Sequence, residues 1–149
     1  MKSAFITGIT GMVGSHLADY LLENTDWNIY GLVRWNDRMD NIEHLMDRIN
    51  IKDRVELVYG DINDLSSLLS VFGKTKPDYV FHLAAQSYPK TSFDSPLETL
   101  ETNILGTAKV LDAIKKLNLN PVIHVCASSE VFGRVPREML PIHEDVGFH

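Results

Sequence analysis

Three glycines at fixed spacing near the start of the chain place the strongest constraint on its fold. Gly8, Gly11 and Gly14 follow an apolar stretch typical of a β-strand and precede an amphipathic pattern typical of a helix. Glycine allows a tight turn and lets backbone N–H groups approach a pyrophosphate, which then lies at the positive end of the helix dipole. The strand, turn and helix therefore predict a dinucleotide-binding segment.

Length and charge narrow the classes of protein to which the chain can belong. Its 149 residues suffice for one domain with a hydrophobic core. A net charge of -6 argues against a protein that binds nucleic acid or an anionic membrane. The sequence lacks the apolar run of roughly 20 residues that a membrane span needs. Its one cysteine, Cys126, lies in an apolar stretch, so we expect a buried, inert thiol and a cytoplasmic, reducing environment.

Strand-like and helix-like segments alternate along the chain. The strands are almost continuously apolar, which is typical of parallel strands that helices cover on both faces. We therefore predict an α/β fold, a Rossmann-type doubly wound parallel sheet with strand order 3-2-1-4-5, truncated after the fifth strand. The predicted strands are Ser3–Thr7, Asn28–Val33, Val55–Tyr59, Asp78–Leu83 and Val122–Cys126, and the predicted helices are Gly11–Glu23, Asn41–Arg48, Asp64–Phe72 and Pro96–Leu117.

The last stretch, 132–149, interrupts this alternation. Pro136, Pro141 and the polar run 143–145 predict a loop. We expect residues 1–149 to be an incomplete dinucleotide-binding domain, the N-terminal half of a longer enzyme whose substrate-binding part is absent from this sequence.

Candidate binding residues follow the carboxyl ends of the predicted strands, where the ligands of such sheets bind. Arg34 follows the second strand, at a position where an arginine suits the 2′-phosphate of NADP and a carboxylate suits the ribose of NAD. The nearby Asp37 keeps NAD open, so NADP is favoured without excluding NAD. Asp61 follows the third strand and can accept a hydrogen bond from an adenine amino group, or it belongs to a turn.

Small and polar residues follow the last two strands. The alanines Ala84 and Ala85 after the fourth strand would let a cofactor lie close to the backbone. Two hydroxyls and a carboxylate follow the fifth strand, at Ser128, Ser129 and Glu130. The histidines show no metal-ligand spacing, so we expect no metal site and assign each of them to surface or strand-end packing; they are His16, His44, His82, His124, His143 and His149.

Five motifs in register give the chain a resemblance to a known family. In this order and spacing they resemble the extended short-chain dehydrogenase/reductase family, and within it the nucleotide-sugar dehydratases and epimerases, above all the GDP-mannose 4,6-dehydratases. The motifs are Thr-Gly-x-x-Gly-x-x-Gly from Thr7, Gly-Asp-Ile from Gly60, His-Leu-Ala-Ala-Gln-Ser from His82, Glu-Thr-Asn from Glu101 with Gly106-Thr107, and Ala-Ser-Ser-Glu-Val-Phe-Gly from Ala127.

The resemblance implies a role for each motif. Ser128 would be the catalytic serine that hydrogen-bonds the sugar O4 during oxidation at C4. Glu130 would be the base that removes the C5 proton before water leaves across C5–C6, after which hydride returns to C6. The cofactor would be held at its 2′-phosphate by Arg34, at its pyrophosphate by Gly8, Ile9, Thr10, Gly11, Met12 and Val13, at its adenine by Asp61 and Ile62, and on its ribose and nicotinamide side by Leu83, Ala84, Ala85, Ser87 and Thr102.

One family motif is missing from these residues. None of the five tyrosines is followed four residues later by the lysine of Tyr-x-x-x-Lys, so we expect this chain alone to be inactive. The resemblance implies a nucleotide-sugar substrate such as GDP-mannose and a homodimeric or homotetrameric parent protein. Two alternatives stay open: a nucleotide-sugar epimerase or decarboxylase, and a non-catalytic NAD(P)-binding sensor. Simple 4-epimerases usually have no acidic residue at the position of Glu130, whereas nucleotide-sugar decarboxylases often do. Glu130 therefore argues against an epimerase more strongly than against a decarboxylase.

Overall fold

A computed structural model describes residues 1–51 and 53–148 of the chain, so His149 lies outside the described residues. Five strands alternate with helices. The strands are β1 (Ser3–Thr7), β2 (Asn28–Val33), β3 (Val55–Tyr59), β4 (Tyr79–His82) and β5 (Val122–Val125). The α-helices are α1 (Met12–Asn24), α2 (Met46–Asn50), α3 (Leu65–Thr75), α4 (Pro89–Asp94), α5 (Pro96–Leu100) and α6 (Gly106–Lys116).

The five strands form one parallel sheet in the order β3-β2-β1-β4-β5. This confirms the predicted fold class and strand order. The chain crosses from β3 to β4 through α3, so the strand order reverses between β1 and β4, which are direct neighbours in the sheet. In such a sheet the loops on the two sides of this switch point diverge and leave a crevice at the carboxyl ends of the strands.

The sheet is covered on both faces, as its apolar strands require. Alternate residues of β1 show this directly: Ala4 and Ile6 pack with Ala18 and Leu22 of α1, whereas Phe5 packs on the opposite face. That opposite face is covered by α3 and α6, and the ring of Phe5 lies 4.5 Å from that of Phe72 in α3. The two clusters fix the sheet rigidly between its helices.

The predicted helix Pro96–Leu117 is divided in the structure. It comprises α5, a π-helical turn at Glu101–Leu105 and α6. The turn is wider because the N–H of Gly106 donates to the carbonyl of Glu101, five residues earlier. Proline occupies the first turn of α5, as predicted.

Other segments differ from the prediction in smaller ways. The helix predicted at Asn41–Arg48 is a 3₁₀ helix, Asp40–Leu45, followed by the short α2. The sequence pattern predicted neither α4 nor the short 3₁₀ helix Ser129–Phe132, and the expected loop 132–149 contains a second short 3₁₀ helix, Arg137–Met139. No helix in the described part of the chain combines the length and apolarity needed to cross a bilayer.

Candidate functional site

A cavity of about 470 Å³ opens at the carboxyl ends of the strands, in the crevice between the loops after β1 and β4. It extends from the end of β2 across the glycine turn to the end of β5. Twenty residues line it: Gly8, Thr10, Gly11, Met12, Val13, Gly14, Leu32, Val33, Arg34, Asp37, Gly60, Asp61, Ile62, Asn63, Leu83, Ala84, Ala85, Ser87, Thr102 and Cys126.

The glycine turn forms the floor of this cavity. Gly8 has a φ of +76°, which L side chains rarely adopt, and a β-carbon there would lie 3.0 Å from the backbone nitrogen of Ala84. Gly14 is closer still to its neighbours, because a β-carbon on it would lie 2.2 Å from the carbonyl oxygen of Gly8. Asn41 secures the turn from outside by donating to the carbonyl of Thr10 at 2.8 Å. The turn therefore depends on backbone packed against backbone.

The N-terminus of α1 points into the same cavity. Gly11 is its N-cap residue and lacks a side chain that could satisfy the first N–H groups of the helix. Those N–H groups have no intrahelical acceptor, and the helix dipole places partial positive charge there. Met12 and Val13, in the first turn, are exposed and line the cavity. The arrangement is suited to bind an anionic group such as a pyrophosphate.

Arg34 and Asp37 form a close pair at one end of the cavity. The Arg34 Nε donates to Asp37 Oδ1 at 2.9 Å, and the Arg34 backbone N–H donates to Asp37 Oδ2 at 2.9 Å. The arginine side chain remains 62% exposed, whereas that of the aspartate is 15% exposed. A guanidinium in this position can pair with an incoming phosphate while the aspartate fixes its orientation.

The loop after β3 lies beside this pair. Asp61 Oδ1 accepts from the backbone N–H of Asn63 at 2.8 Å, and Asn63 Nδ2 donates to Thr102 Oγ1 at 3.3 Å. Ile62 is 7% exposed and packs into the core with its edge on the cavity. The hydrogen bond to Thr102 joins this loop to the π-helical turn, so two segments distant in sequence close one wall.

The loop after β4 forms the other wall and is held by the amide of Asn103. Gln86 N–H donates to Asn103 Oδ1 at 2.8 Å, and Asn103 Nδ2 donates to the Gln86 carbonyl at 2.9 Å. Gln86 Nε2 also donates to Thr99 Oγ1 at 3.1 Å. These bonds fix the path of the loop from Leu83 to Ser87, where Leu83, Ala84, Ala85 and Ser87 line the cavity.

Ser128 and Glu130 lie just beyond β5, close to one another but outside the set of residues that line the cavity. The Glu130 N–H donates to Ser128 Oγ at 3.2 Å, which makes Ser128 the N-cap of the short helix Ser129–Phe132. Both side chains are exposed. The hydroxyl of Ser128 still has its own proton to donate, and the carboxylate of Glu130 faces solvent.

Most sequence-predicted binding residues meet at this cavity. Ile9 is different: its side chain is fully buried in the core next to Ala18 and Ile29, so only its backbone belongs to the turn. Leu32, Val33 and Asn63 also line the cavity and were not predicted. The only indication of these residues in the sequence is their position, since each lies within two residues of a predicted site residue.

Cys126 corrects a second expectation, because it is exposed and lines the cavity rather than being buried. It follows β5, an edge strand that is hydrogen-bonded only to β4 within the described residues. Val122 and Val125 of that strand are exposed for the same reason. An apolar sequence run therefore failed to indicate burial here.

The residues present fit a dinucleotide. β-carbons on Gly8 and Gly14 would meet the backbone of the chain itself, so these glycines let the turn and the start of α1 pack closely, as in the glycine turns that bind dinucleotides. Among residues 1–51 and 53–148, no three His, Cys, Asp or Glu side chains are grouped so as to hold a metal ion.

The chain matches the family model for GDP-mannose 4,6 dehydratase over residues 5–149. It is 39% identical to a GDP-mannose 4,6 dehydratase of Drosophila melanogaster over 140 residues, which cover 90% of this chain and 35% of that protein. It is 36% identical to the human GDP-mannose 4,6 dehydratase over 152 residues, with 98% of this chain and 40% of the human protein covered. The chain thus spans about two fifths or less of these relatives.

Solved structures show the same fold. RMD from Pseudomonas aeruginosa, complexed with NADPH, matches with a TM-score of 0.71 and 30% identity over 100% of this chain and 43% of that one. UDP-glucose 4-epimerase from Bifidobacterium longum, in complex with NAD+ and UDP, matches with a TM-score of 0.80 and 25% identity over 99% of this chain and 43% of that one.

Proposed function

The chain belongs to the GDP-mannose 4,6-dehydratase family, and we propose that it is the NADP-binding part of a nucleotide-sugar 4,6-dehydratase. The observation that carries the proposal is the close packing of the glycine turn, where Gly8 approaches the Ala84 backbone and Gly14 approaches the Gly8 carbonyl. A β-carbon on either glycine would disrupt this turn, which positions the N-terminus of α1 where it can bind a pyrophosphate. The sugar-binding part and the Tyr-x-x-x-Lys pair would come from outside residues 1–149.

The cofactor would be bound along the cavity. The first-turn N–H groups of α1 would receive the pyrophosphate, and Arg34 would receive the 2′-phosphate of NADP. Asp61 and Ile62 would flank the adenine, whereas Ala85, Ser87 and Thr102 would line the ribose and nicotinamide side. A bound nicotinamide supplies the acceptance of a hydride from the sugar and its later return.

Ser128 and Glu130 would act on the sugar. Ser128 Oγ accepts the Glu130 N–H, so its own proton would be directed to the sugar O4. A carbonyl at C4 makes the C5 proton acidic, and the carboxylate of Glu130 would remove that proton as water leaves across C5–C6. Both side chains are exposed in the structure, which supports access for a substrate.

An epimerase or a decarboxylase is the second candidate, because the fold matches that of a UDP-glucose 4-epimerase with a TM-score of 0.80. An epimerase needs no base at C5, so the carboxylate after Ser128 favours the dehydratase. A cofactor-binding sensor is the third candidate and would need neither Ser128 nor Glu130.

Cofactor binding is tested by titrating the purified chain with NADPH and with NADH, followed by nicotinamide fluorescence. We expect saturable binding of both, with NADPH tighter. Absence of saturable binding of either cofactor would contradict the proposal, and a preference for NADH would contradict the assignment of Arg34.

The reaction is tested with the full reading frame that encodes the chain, incubated with GDP-mannose and NADP. Mass spectrometry should detect loss of one water from the nucleotide sugar. The Glu130→Gln variant should abolish this product, and the matched Glu138→Gln variant, on the neighbouring 3₁₀ helix, should retain it. An isomer of unchanged mass that chromatography separates from GDP-mannose would support the epimerase, and loss of carbon dioxide from a nucleotide-linked uronic acid supplied in place of GDP-mannose would support the decarboxylase.

Self-association is proposed for the parent protein through the exposed face of α5 and the π-helical turn. Leu97 is 79% exposed and Ile104 is 60% exposed on this face, and a second copy would cover them. A monomer at high concentration in light scattering would contradict this part of the proposal.

A further inference from the structure

A buried histidine directly precedes the loop that forms one wall of the cavity. His82, the last residue of β4, is 3% exposed. Its Nδ1 lies 2.8 Å from Thr7 Oγ1 on β1, and its Nε2 lies 3.0 Å from Thr107 Oγ1 on α6. The imidazole therefore connects the strand that enters the glycine turn with the helix that follows the π-helical turn.

The hydrogen-bond partners determine where the imidazole proton lies. Thr7 Oγ1 accepts from the N–H groups of Leu83 and Ala84, both at 3.1 Å, so its own proton points to His82 Nδ1. Thr107 donates its proton to the Asn103 carbonyl at 2.8 Å, so its oxygen accepts from His82 Nε2. Each donor finds an acceptor only when the imidazole is neutral with its proton on Nε2.

This set of bonds holds the loop after β4 against the glycine turn. Leu83 and Ala84, which donate to Thr7, are the residues whose backbone lies 3.0 to 3.2 Å from the position of a β-carbon on Gly8. Asn103, which accepts from Thr107, holds the same loop two residues further on through Gln86. Displacement of the imidazole would therefore loosen the loop at both points.

From this geometry we infer that His82 is a positioning residue for dinucleotide binding, acting as a neutral, Nε2-protonated link that holds the Leu83–Ala84 backbone against Gly8. The inference rests on the proposed function for its ligand. A proton added to Nδ1 would point at a Thr7 oxygen that already accepts two bonds, and Thr7 would lose the acceptor for its own proton. Protonation of His82 should therefore weaken cofactor binding.

The surroundings of His82 favour the neutral form. Thr7 on β1, Thr107 on α6 and Val125 on β5 are its neighbours from the packed elements, and none of them is charged. The nearby Cys126 contributes its backbone N–H, which donates to the His82 carbonyl at 3.1 Å. Burial alone lowers the pKa of His82.

The proton position is tested by nitrogen-15 NMR of the purified chain with labelled histidine, using His82→Asn to assign the signal. We expect the Nε2–H tautomer at pH 7 and no titration of this signal near the ordinary pKa of about 6.5. An Nδ1–H tautomer, or titration at the ordinary value, would overturn the inference without affecting the proposed function.

The positioning role is tested with two variants that each retain one hydrogen bond. The Oδ1 of Asn can replace Nδ1 and accept from Thr7, whereas the Nε2 of Gln can replace the ring Nε2 and donate to Thr107. We expect NADPH affinity within about threefold of wild type for His82→Asn and about tenfold weaker for His82→Gln, since one hydrogen bond contributes on the order of tenfold. His124→Asn, at an exposed histidine on β5, is the matched control and should bind normally.

The pH profile completes the test. Wild-type affinity for NADPH should fall more steeply below pH 6 than that of His82→Asn, because only the wild type can be protonated at this position. Parallel profiles, or equal affinity of the two His82 variants, would overturn the inference. If His82→Gln does not fold, Thr7→Val replaces it, since it removes the hydroxyl that bonds to Nδ1 while keeping the side-chain shape. A wild-type protein with the Nε2–H tautomer and no NADPH binding would overturn the proposed function and, with it, the role of His82.

Discussion

Gly14 lies against the carbonyl group of Gly8. A β-carbon on Gly14 would be 2.2 Å from the Gly8 oxygen and 2.8 Å from the Gly8 carbon. The beginning of α1 is therefore folded back onto the end of the strand–turn segment, and the helix N-terminus lies directly over the cavity floor.

Replacement of Gly14 by alanine should displace this turn. We expect Gly14→Ala to weaken NADPH binding at least about tenfold and to destabilise the fold by roughly 1–3 kcal/mol, the usual cost of overpacking. Gly73→Ala in α3 is the control, because the nearest atom to its added carbon is 3.9 Å away. It should be neutral or stabilising by up to about 1 kcal/mol. Isothermal titration and urea unfolding measure both effects, and equal behaviour of the two variants would contradict the steric argument.

Removal of the Arg34 side chain should change the affinity for NADPH and the affinity for NADH by different amounts. Arg34→Ala should weaken NADPH binding about 10- to 100-fold, as expected for loss of a charge-assisted hydrogen bond, and leave NADH binding nearly unchanged. Arg38→Ala is the matched control, because Arg38 pairs with Asp40 and is not among the cavity-lining residues. Equal loss for both cofactors would show that Arg34 supports the loop and does not select the phosphate.

Neutralisation of Asp37 should strengthen the preference for NADPH over NADH, whereas removal of Arg34 should weaken it. Its carboxylate holds the Arg34 guanidinium at 2.8 Å and would repel a 2′-phosphate. Asp37→Asn keeps an oxygen that can accept the Arg34 N–H and removes the charge, so we expect the ratio of NADPH to NADH affinity to rise several-fold. A fall in that ratio, measured by competitive titration, would indicate that Asp37 orients Arg34 chiefly through its charge.

The free energy of unfolding should depend on pH through His82. Burial lowers the pKa of His82 in the folded protein, so below pH 6.5 the unfolded chain takes up a proton that the folded chain resists. This contribution to stability is complete above pH 6.5 and is lost as the pH falls towards the folded-state pKa, with a slope of at most about 1.4 kcal/mol per pH unit. Urea unfolding of wild type and His82→Asn at pH 5.5 and 7.5 isolates it. If the free energy of unfolding changes between these two pH values no more in the wild type than in the variant, the contribution of His82 is refuted.

The N-cap of α3, which follows the loop that carries Asp61, should contribute to the free energy of unfolding. Asp64 accepts from the N–H groups of Ser66 and Ser67, both at 3.1 Å. Asp64→Ala should lower the free energy of unfolding by about 1 kcal/mol, and Asp64→Ser should restore most of it because serine also caps helices. Thermal unfolding followed by circular dichroism measures the change, and an unaltered Asp64→Ala protein would show that tertiary packing alone holds the helix end.

The sheet was predictable because burial on both faces leaves a direct mark in the sequence. Strands such as Ser3–Thr7 and Val55–Tyr59 were found with correct bounds, since a short apolar run between two turns is typical of a strand that helices cover on both faces. The helix predicted at Asp64–Phe72 is present as α3, and Asp64 is its N-cap residue. The strand order then followed from the handedness of the crossovers.

Features that depend on distant contacts were not predictable in the same way. The π-helical turn at Glu101–Leu105 forms where Asn103 bonds to the loop after β4, and no local pattern encodes that partner. The role of His82 was missed for the same reason, since both of its partners lie far away in sequence. Cys126 was misassigned because an edge strand can be as apolar as a central one.

The hydrogen bonds at His82 join residues that are 75 and 25 positions apart in sequence. A partly folded chain that has paired only β1 with β2 therefore possesses the glycine motif but not the cavity. Any dinucleotide would bind the fully folded state alone and stabilise it by mass action. Ligand should then slow amide hydrogen exchange in β1, β4 and α6 together, so that occupancy of the site reports on completion of folding across most of the chain.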